Sequence, residues 1–126
     1  MRVRFRFTKL GKIRFLGHRD LARCWERAIR RCELPVAYSE GFSPRPRLHY
    51  GLALPTGAES LAEYLDLDLT TDVPLHGIAK AITDALPDGV EVTGVGEVAF
   101  NATALQAVVD RCTWSIDLAD TSLDAV

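Results

Sequence analysis

Hydrophobic and polar residues alternate strictly over residues 2–8, RVRFRFT. Val3, Phe5 and Phe7 fall on one side, and Arg2, Arg4 and Arg6 on the other. A period of two predicts a strand with one buried face. KLGK then turns the chain, and residues 13–16 are expected to continue as a short extended piece. The period changes after Gly17. Leu21, Trp25, Ala28, Ile29 and Cys32 recur at helical spacing, which predicts an amphipathic helix ending near Glu33, before Pro35. Gly17 takes the N-cap position, and Asp20 offers a carboxylate to the free N–H groups of the first turn. SEGFSPRPR, residues 39–47, is a loop by its Gly and Pro content. Alternation returns in LHYGLAL, 48–54, with Leu48, Tyr50, Leu52 and Leu54 inward. After the turn PTGAES it is clearest in EYLDLDLT, 63–70: Leu65, Leu67 and Leu69 point inward, and Tyr64, Asp66 and Asp68 outward. Pro74 opens a second helix over 75–86, with Leu75, Ile78, Ala79, Ile82 and Leu86 at helical spacing. LPDG ends it, and VEVTGVGEV is a fourth strand.

The order β-α-β-β-α-β over residues 1–100 predicts an α+β, ferredoxin-like domain: an antiparallel sheet with two helices on one face and the other face open. Its strand order, 4-1-3-2, makes the first and third strands neighbours, so Arg2, Arg4 and Arg6 face Tyr64, Asp66 and Asp68. Opposite charges paired across a sheet stabilise it. Residues 101–126 form a separate stretch. NATALQAVVDRC is expected to be a linker helix, and RCTWSIDL, 111–118, the first strand of an incomplete second unit. Trp114 and Ile116 need a cover that the few remaining residues cannot supply, so the chain is expected to be a fragment, or its last strand to join another sheet.

Composition suits one small globular domain: 126 residues, 48% hydrophobic, net charge −2. The net value hides an asymmetry. Residues 1–50 hold 13 Lys+Arg against 4 Asp+Glu, a net of +9, and residues 51–126 hold 2 against 13, a net of −11. Such a division points to a nucleic-acid face or to internal charge pairing. No apolar run is long enough to span a membrane, and the charged, alternating start is no signal peptide. A cytoplasmic location is the default. Cys24, Cys32 and Cys112 lack the spacing of a disulfide framework or a zinc site, and are expected to be buried, reduced thiols. No metal and no cofactor is expected.

Pairing across the sheet accounts for the first strand's arginines but leaves the first helix, which lies on the sheet's other side. There Arg19, Arg23, Arg27, Arg30 and Arg31 cover the face opposite Trp25. Glu26 can pair with Arg30, and Asp20 with Arg23 or Arg19. Three or more arginines remain. Arginine clusters suit bidentate binding of phosphate or carboxylate. The loop adds Ser39, Phe42, Arg45 and Arg47, with Tyr38 and His49 at its margins. Arginines interleaved with aromatics track a phosphate backbone and stack bases. The plainer alternative is a rigid loop whose Phe42 plugs the core. No nucleophile–base–acid set can be assembled, and no catalytic residue is assigned. His18 beside Asp20 is the candidate for acid–base work or for binding a phosphate.

The run from Arg14 to Leu69 resembles a bacterial domain of unknown function found fused behind, or encoded beside, radical SAM proteins. The resemblance is carried in order by RFLGHRDLAR, RAIRR, LP, YSEGFSPRP and GAESLAEYLD. His18, Asp20, Arg23, Arg27, Arg31, Ser39, Gly41, Phe42, Pro44, Pro46, Ser60, Glu63 and Asp66 fall on the family pattern. Gly17 departs from its usual Ser, and Arg45 from its usual His. The resemblance implies a radical SAM protein as partner, while the chain itself has no CxxxCxxC to hold an iron–sulfur cluster. The expected function is a non-enzymatic accessory domain that binds RNA through the arginine-rich helix and loop. One alternative is docking on an acidic surface of the radical SAM enzyme. Another is a metal-independent RNA-processing enzyme using His18.

Overall fold

A computed structural model describes residues 1–51, 54–99 and 111–116. Its elements are β1 (Arg2–Lys9), a 3-10 helix (Gly11–Phe15), α1 (His18–Arg31), β2 (Leu48–Tyr50), β3 (Ser60–Asp68), α2 (Ile78–Ala85) and β4 (Val92–Val98). The four strands form one antiparallel sheet in the order β2-β3-β1-β4. The first and third strands are therefore neighbours, as the expected strand order has them.

The inward rows make the core. Val3, Phe5 and Phe7 of β1, Leu65 and Leu67 of β3, and the adjoining Leu69 are all buried. Leu21, Trp25, Ala28 and Ile29 of α1, and Ile82 of α2, belong to the same buried cluster. Trp25 is the centrepiece, with its ring 5.4 Å from Phe5 and 4.9 Å from Phe7 between centroids. Gly89, at φ +97°, closes the turn before β4 where an added Cβ would collide with the Leu10 carbonyl oxygen. Only glycine meets both demands.

The outward rows of β1 and β3 carry a charge ladder. Arg2 lies opposite Asp68, Arg4 opposite Asp66 and Arg6 opposite Tyr64. Each of the first two pairs is bidentate: Arg2 donates to Asp68 at 2.7 and 3.2 Å, and Arg4 to Asp66 at 2.8 and 3.0 Å. The guanidinium groups lie over the carboxylates and bury them, leaving Asp66 and Asp68 only 3% and 4% exposed. Arg6 turns the other way, to Thr93 on β4. His49 on β2 adds a contact of 3.1 Å to Asp68.

Burial by itself pushes the Asp68 carboxyl up, but the hydrogen bonds from Arg2 and His49 outweigh it and hold the group below its ordinary value of 3.8. A depressed carboxyl stabilises the fold fully above the unfolded value, and that contribution is lost as pH falls through the folded value. The urea midpoint should therefore hold steady as pH falls towards 4 and drop below it. Asp68→Asn should flatten this acid limb when midpoints are compared at pH 7 and pH 3.

Several elements differ from the sequence expectation. Residues 11–15 form a 3-10 turn where an extended piece was expected. Gly11, at φ +70°, reverses the chain, and Gly57 N–H donates to the Arg14 carbonyl at 2.6 Å. β2 ends at Tyr50, although Gly51 N–H still donates to the Tyr64 carbonyl; Leu52 and Ala53 lie outside the described residues. α2 begins at Ile78 rather than at residue 75, because Gly77 adopts φ +81° and breaks the helical path. Residues 111–116 form no strand; Trp114 and Ile116 are exposed, with no described strand beside them. The expected linker helix falls on residues 101–112, of which 101–110 lie outside the described residues, as do 117 and 118 of the expected strand. Cys24 and Cys32 are half-buried and Cys112 is exposed, all three as free thiols, where buried thiols are expected from the sequence. Burial does push the Cys32 thiol up, despite the nearby charge of Arg31. Among the described residues no helix is long and apolar enough to cross a membrane.

Candidate functional site

The rotation of α1 is set by its apolar stripe. With Leu21, Trp25, Ala28 and Ile29 in the core, residues at the complementary positions must face away. Arg19, Arg23, Arg27, Arg30 and Arg31 are all exposed. Among the described residues one ion pair involves them: Arg23 with Asp20, at 3.6 Å between two well-exposed side chains. Pairs of this kind contribute little. Among the described residues no carboxylate lies within 4.0 Å of Arg19, Arg27, Arg30 or Arg31. The expected Glu26–Arg30 pair is not formed, since Glu26 is half-buried while Arg30 stands in solvent. Of the acids of the second half, Asp66 and Asp68 are engaged in the ladder and Asp84 in the Lys80–Asp84 pair of α2.

The loop after α1 is a closed excursion. Tyr38 bridges Pro46, Ser39 N–H donates to the Arg45 carbonyl, and Arg45 N–H donates back to the Ser39 hydroxyl at 3.1 Å. Ser39 is thus the clasp of the loop. The tip projects Phe42 fully into solvent, so Phe42 does not plug the core. Tyr38 is 54% exposed, and Arg45 and Arg47 are exposed beside it. Arg47 is held through its backbone, donating to Ala37 and accepting from Asp68, which fastens the base of the loop to β3.

His18 and Asp20 turn to different partners. The Asp20 carboxylate turns to Arg23. His18 is exposed at the start of α1, with its ring edge-on to Tyr50 at 4.8 Å between centroids. No carboxylate accepts a hydrogen bond from the His18 ring among the described residues. His18 does line a shallow cleft with Lys9, Tyr50, Glu63, Phe7 and Leu21. Lys9 is buried, and its ammonium donates to the Leu16 carbonyl at 2.7 Å. Glu63 accepts from the Ser60 hydroxyl at 2.8 Å. Burial pushes the Glu63 carboxyl up, while Ser60, Lys9 and His18 pull against that rise.

This cleft escaped the sequence reading, and yet a signal for it exists. Lys9 continues the inward row Val3, Phe5, Phe7, and Glu63 continues the inward row Leu65, Leu67. Two charged residues on inward parity at the ends of adjacent strands mark a place where the core gives way to a polar site. Among the described residues no group of three His, Cys, Asp or Glu side chains could hold a metal ion.

No curated protein matches the chain. A family model matches residues 2–126, which include β1, α1, the 38–47 loop, β3 and the cleft. The chain belongs to the family described as an uncharacterized protein conserved in bacteria (DUF2344).

Proposed function

We infer that this domain is a non-enzymatic accessory module that binds RNA through the arginine face of α1, in the service of a radical SAM enzyme. One observation carries the reading: Arg19, Arg27, Arg30 and Arg31 are exposed with no carboxylate within 4.0 Å among the described residues. A guanidinium fork matches the oxygens of phosphate, so a row of unpaired forks favours a polyphosphate backbone over a single small anion. From Arg19 to Arg30 the row extends for about 16 Å at 1.5 Å per residue. Tyr38 and Phe42 on the loop supply faces on which unpaired bases stack, which favours single-stranded RNA over duplex. The radical SAM partnership rests on the motif blocks from Arg14 to Leu69. The strand order and the shared core of the two helices support a ferredoxin-like arrangement, and fold by itself carries no functional weight. A cytoplasmic location belongs to the same reading.

The test compares fluorescence anisotropy of the full chain with labelled single-stranded RNA, duplex RNA and polyglutamate of matched charge. Single-stranded RNA should bind most tightly, with polyglutamate weaker by about tenfold, since it offers no bases to stack on Tyr38 and Phe42. Equal affinity for polyglutamate would favour docking on an acidic protein surface. Absence of RNA binding would reject the reading.

A further inference from the structure

The two edges of the sheet differ. β2 is three residues long. β4 is seven, VTGVGEV, with a single charge at Glu97 and no lysine or proline. Natural sheets protect their edges against further pairing by shortness, lysine, proline or a bulge. The irregularity in the β1–β4 register falls between Arg6 and Phe7, so residues 94–98 run regularly. Among the described residues no strand pairs with the outer side of this stretch. The core is also thinly covered there. Val95 pairs with Phe5, on the helix side of the sheet, yet it is only half-buried. Ala79 and Ala85 of α2, the helix packed on β4, are half-buried as well. All three belong to the partly buried margin of the core.

Residues 111–116, RCTWSI, have what this edge lacks. Trp114 and Ile116 alternate with Thr113 and Ser115, the pattern of a half-buried strand. The two apolar side chains are 57% and 74% exposed, and the segment forms no strand. We propose that residues 111–116 of a second copy of this chain add as a strand to the outer side of β4, reciprocally, so that two molecules join into a two-fold dimer. The segment stands off the sheet of its own chain, which leaves that edge to another molecule. Every copy carries one acceptor edge and one donor segment, so a reciprocal exchange uses both and closes the assembly. Backbone hydrogen bonds along β4 supply affinity, and alternate side chains supply specificity. Trp114 and Ile116 then extend the inward row beside Val95 and the flank of α2. Thr113 and Ser115 lie on the other face, beside Gly94 and Gly96, which pair with Arg6 and Arg4 and present no side chain to obstruct them. The pairing uses none of the α1 arginines and does not rest on the RNA reading.

The test is sedimentation of the full chain over about a hundredfold range of concentration, with hydrogen exchange read by mass spectrometry at both ends of the range. A monomer–dimer equilibrium is expected. Residues 92–98 and 111–116 should exchange about tenfold more slowly in the dimer, with β2 unchanged. Trp114→Ser with Ile116→Ser alters exposed side chains and keeps the fold, which circular dichroism checks. It should raise the dimer dissociation constant by about tenfold or more, because the apolar area removed from water on pairing is lost. A monomer at every concentration would overturn the proposal. So would a dimer in which residues 92–98 gain no protection, or one that the double substitution leaves equally tight. Protection of residues 92–98 that does not vary with concentration would identify the chain's own segment as the occupant, and overturns it too. The Arg23→Glu, Arg27→Glu protein should dimerise as the wild type does, so a failure of the RNA reading is distinguishable from a failure of this one.

Discussion

Replacing Arg4 by alanine is expected to destabilise the domain by about 3 kcal/mol or more, the usual cost of leaving one member of a buried ion pair alone. Asp66 is 3% exposed, and its two carboxylate oxygens take the two hydrogen bonds from Arg4. Without the guanidinium, the buried carboxylate on the central strand pair loses both of its hydrogen bonds from Arg4. The aliphatic stem of Arg4 also covers the sheet, so alanine removes packing as well as charge. Substituting both residues, Arg4→Met with Asp66→Leu, should recover most of the loss, because two apolar groups of similar volume leave no orphaned charge. Urea midpoints of Arg4→Met, Asp66→Leu and the double variant give the coupling directly. A cost below about 1 kcal/mol for Arg4→Ala would mean that the ladder behaves as a solvated surface pair.

The second large effect is on binding. Arg23→Glu combined with Arg27→Glu should weaken RNA binding about a hundredfold or more, taking each lost charge-assisted contact as roughly 1.5–3 kcal/mol. The fold should survive, since both side chains are exposed and neither joins the core. Loss of the exposed Asp20–Arg23 pair costs only a few tenths of a kcal/mol. Circular dichroism and the urea midpoint serve as controls for folding, and Lys80→Glu on α2 as a control for charge alone. Full binding by the double variant would remove α1 from the interface.

The parts of this protein that follow from local periodicity were legible before the structure. Val3, Phe5, Phe7 and Leu65, Leu67, Leu69 read as inward rows, and the rows dictate the register that sets Arg2 and Arg4 against Asp68 and Asp66. The apolar stripe of α1 located Trp25 in the core and the arginines outside it. What escaped depends on contacts between distant residues. The cleft joins Lys9 from one strand end, His18 from a helix start, Tyr50 from β2 and Glu63 from β3; local periodicity marks Lys9 and Glu63 as charges on inward rows but does not signal their meeting with His18 and Tyr50. The 3-10 turn depends on Gly57 reaching the Arg14 carbonyl. The late start of α2 turns on one glycine's left-handed φ, which helical spacing at Leu75 and Ile78 conceals.

The most direct test of the central reading is the salt dependence of single-stranded RNA affinity for the wild-type chain and for the Arg23→Glu, Arg27→Glu variant. Each phosphate neutralised on a single strand contributes about −0.7 to the slope of log K against log salt concentration. Engagement of Arg19, Arg23, Arg27, Arg30 and Arg31 predicts a wild-type slope near −3.5, with the variant shallower by about 1.4 or more. A wild-type slope close to zero, or equal slopes and affinities for the two proteins, would contradict the assignment of the α1 arginines as an RNA-binding face.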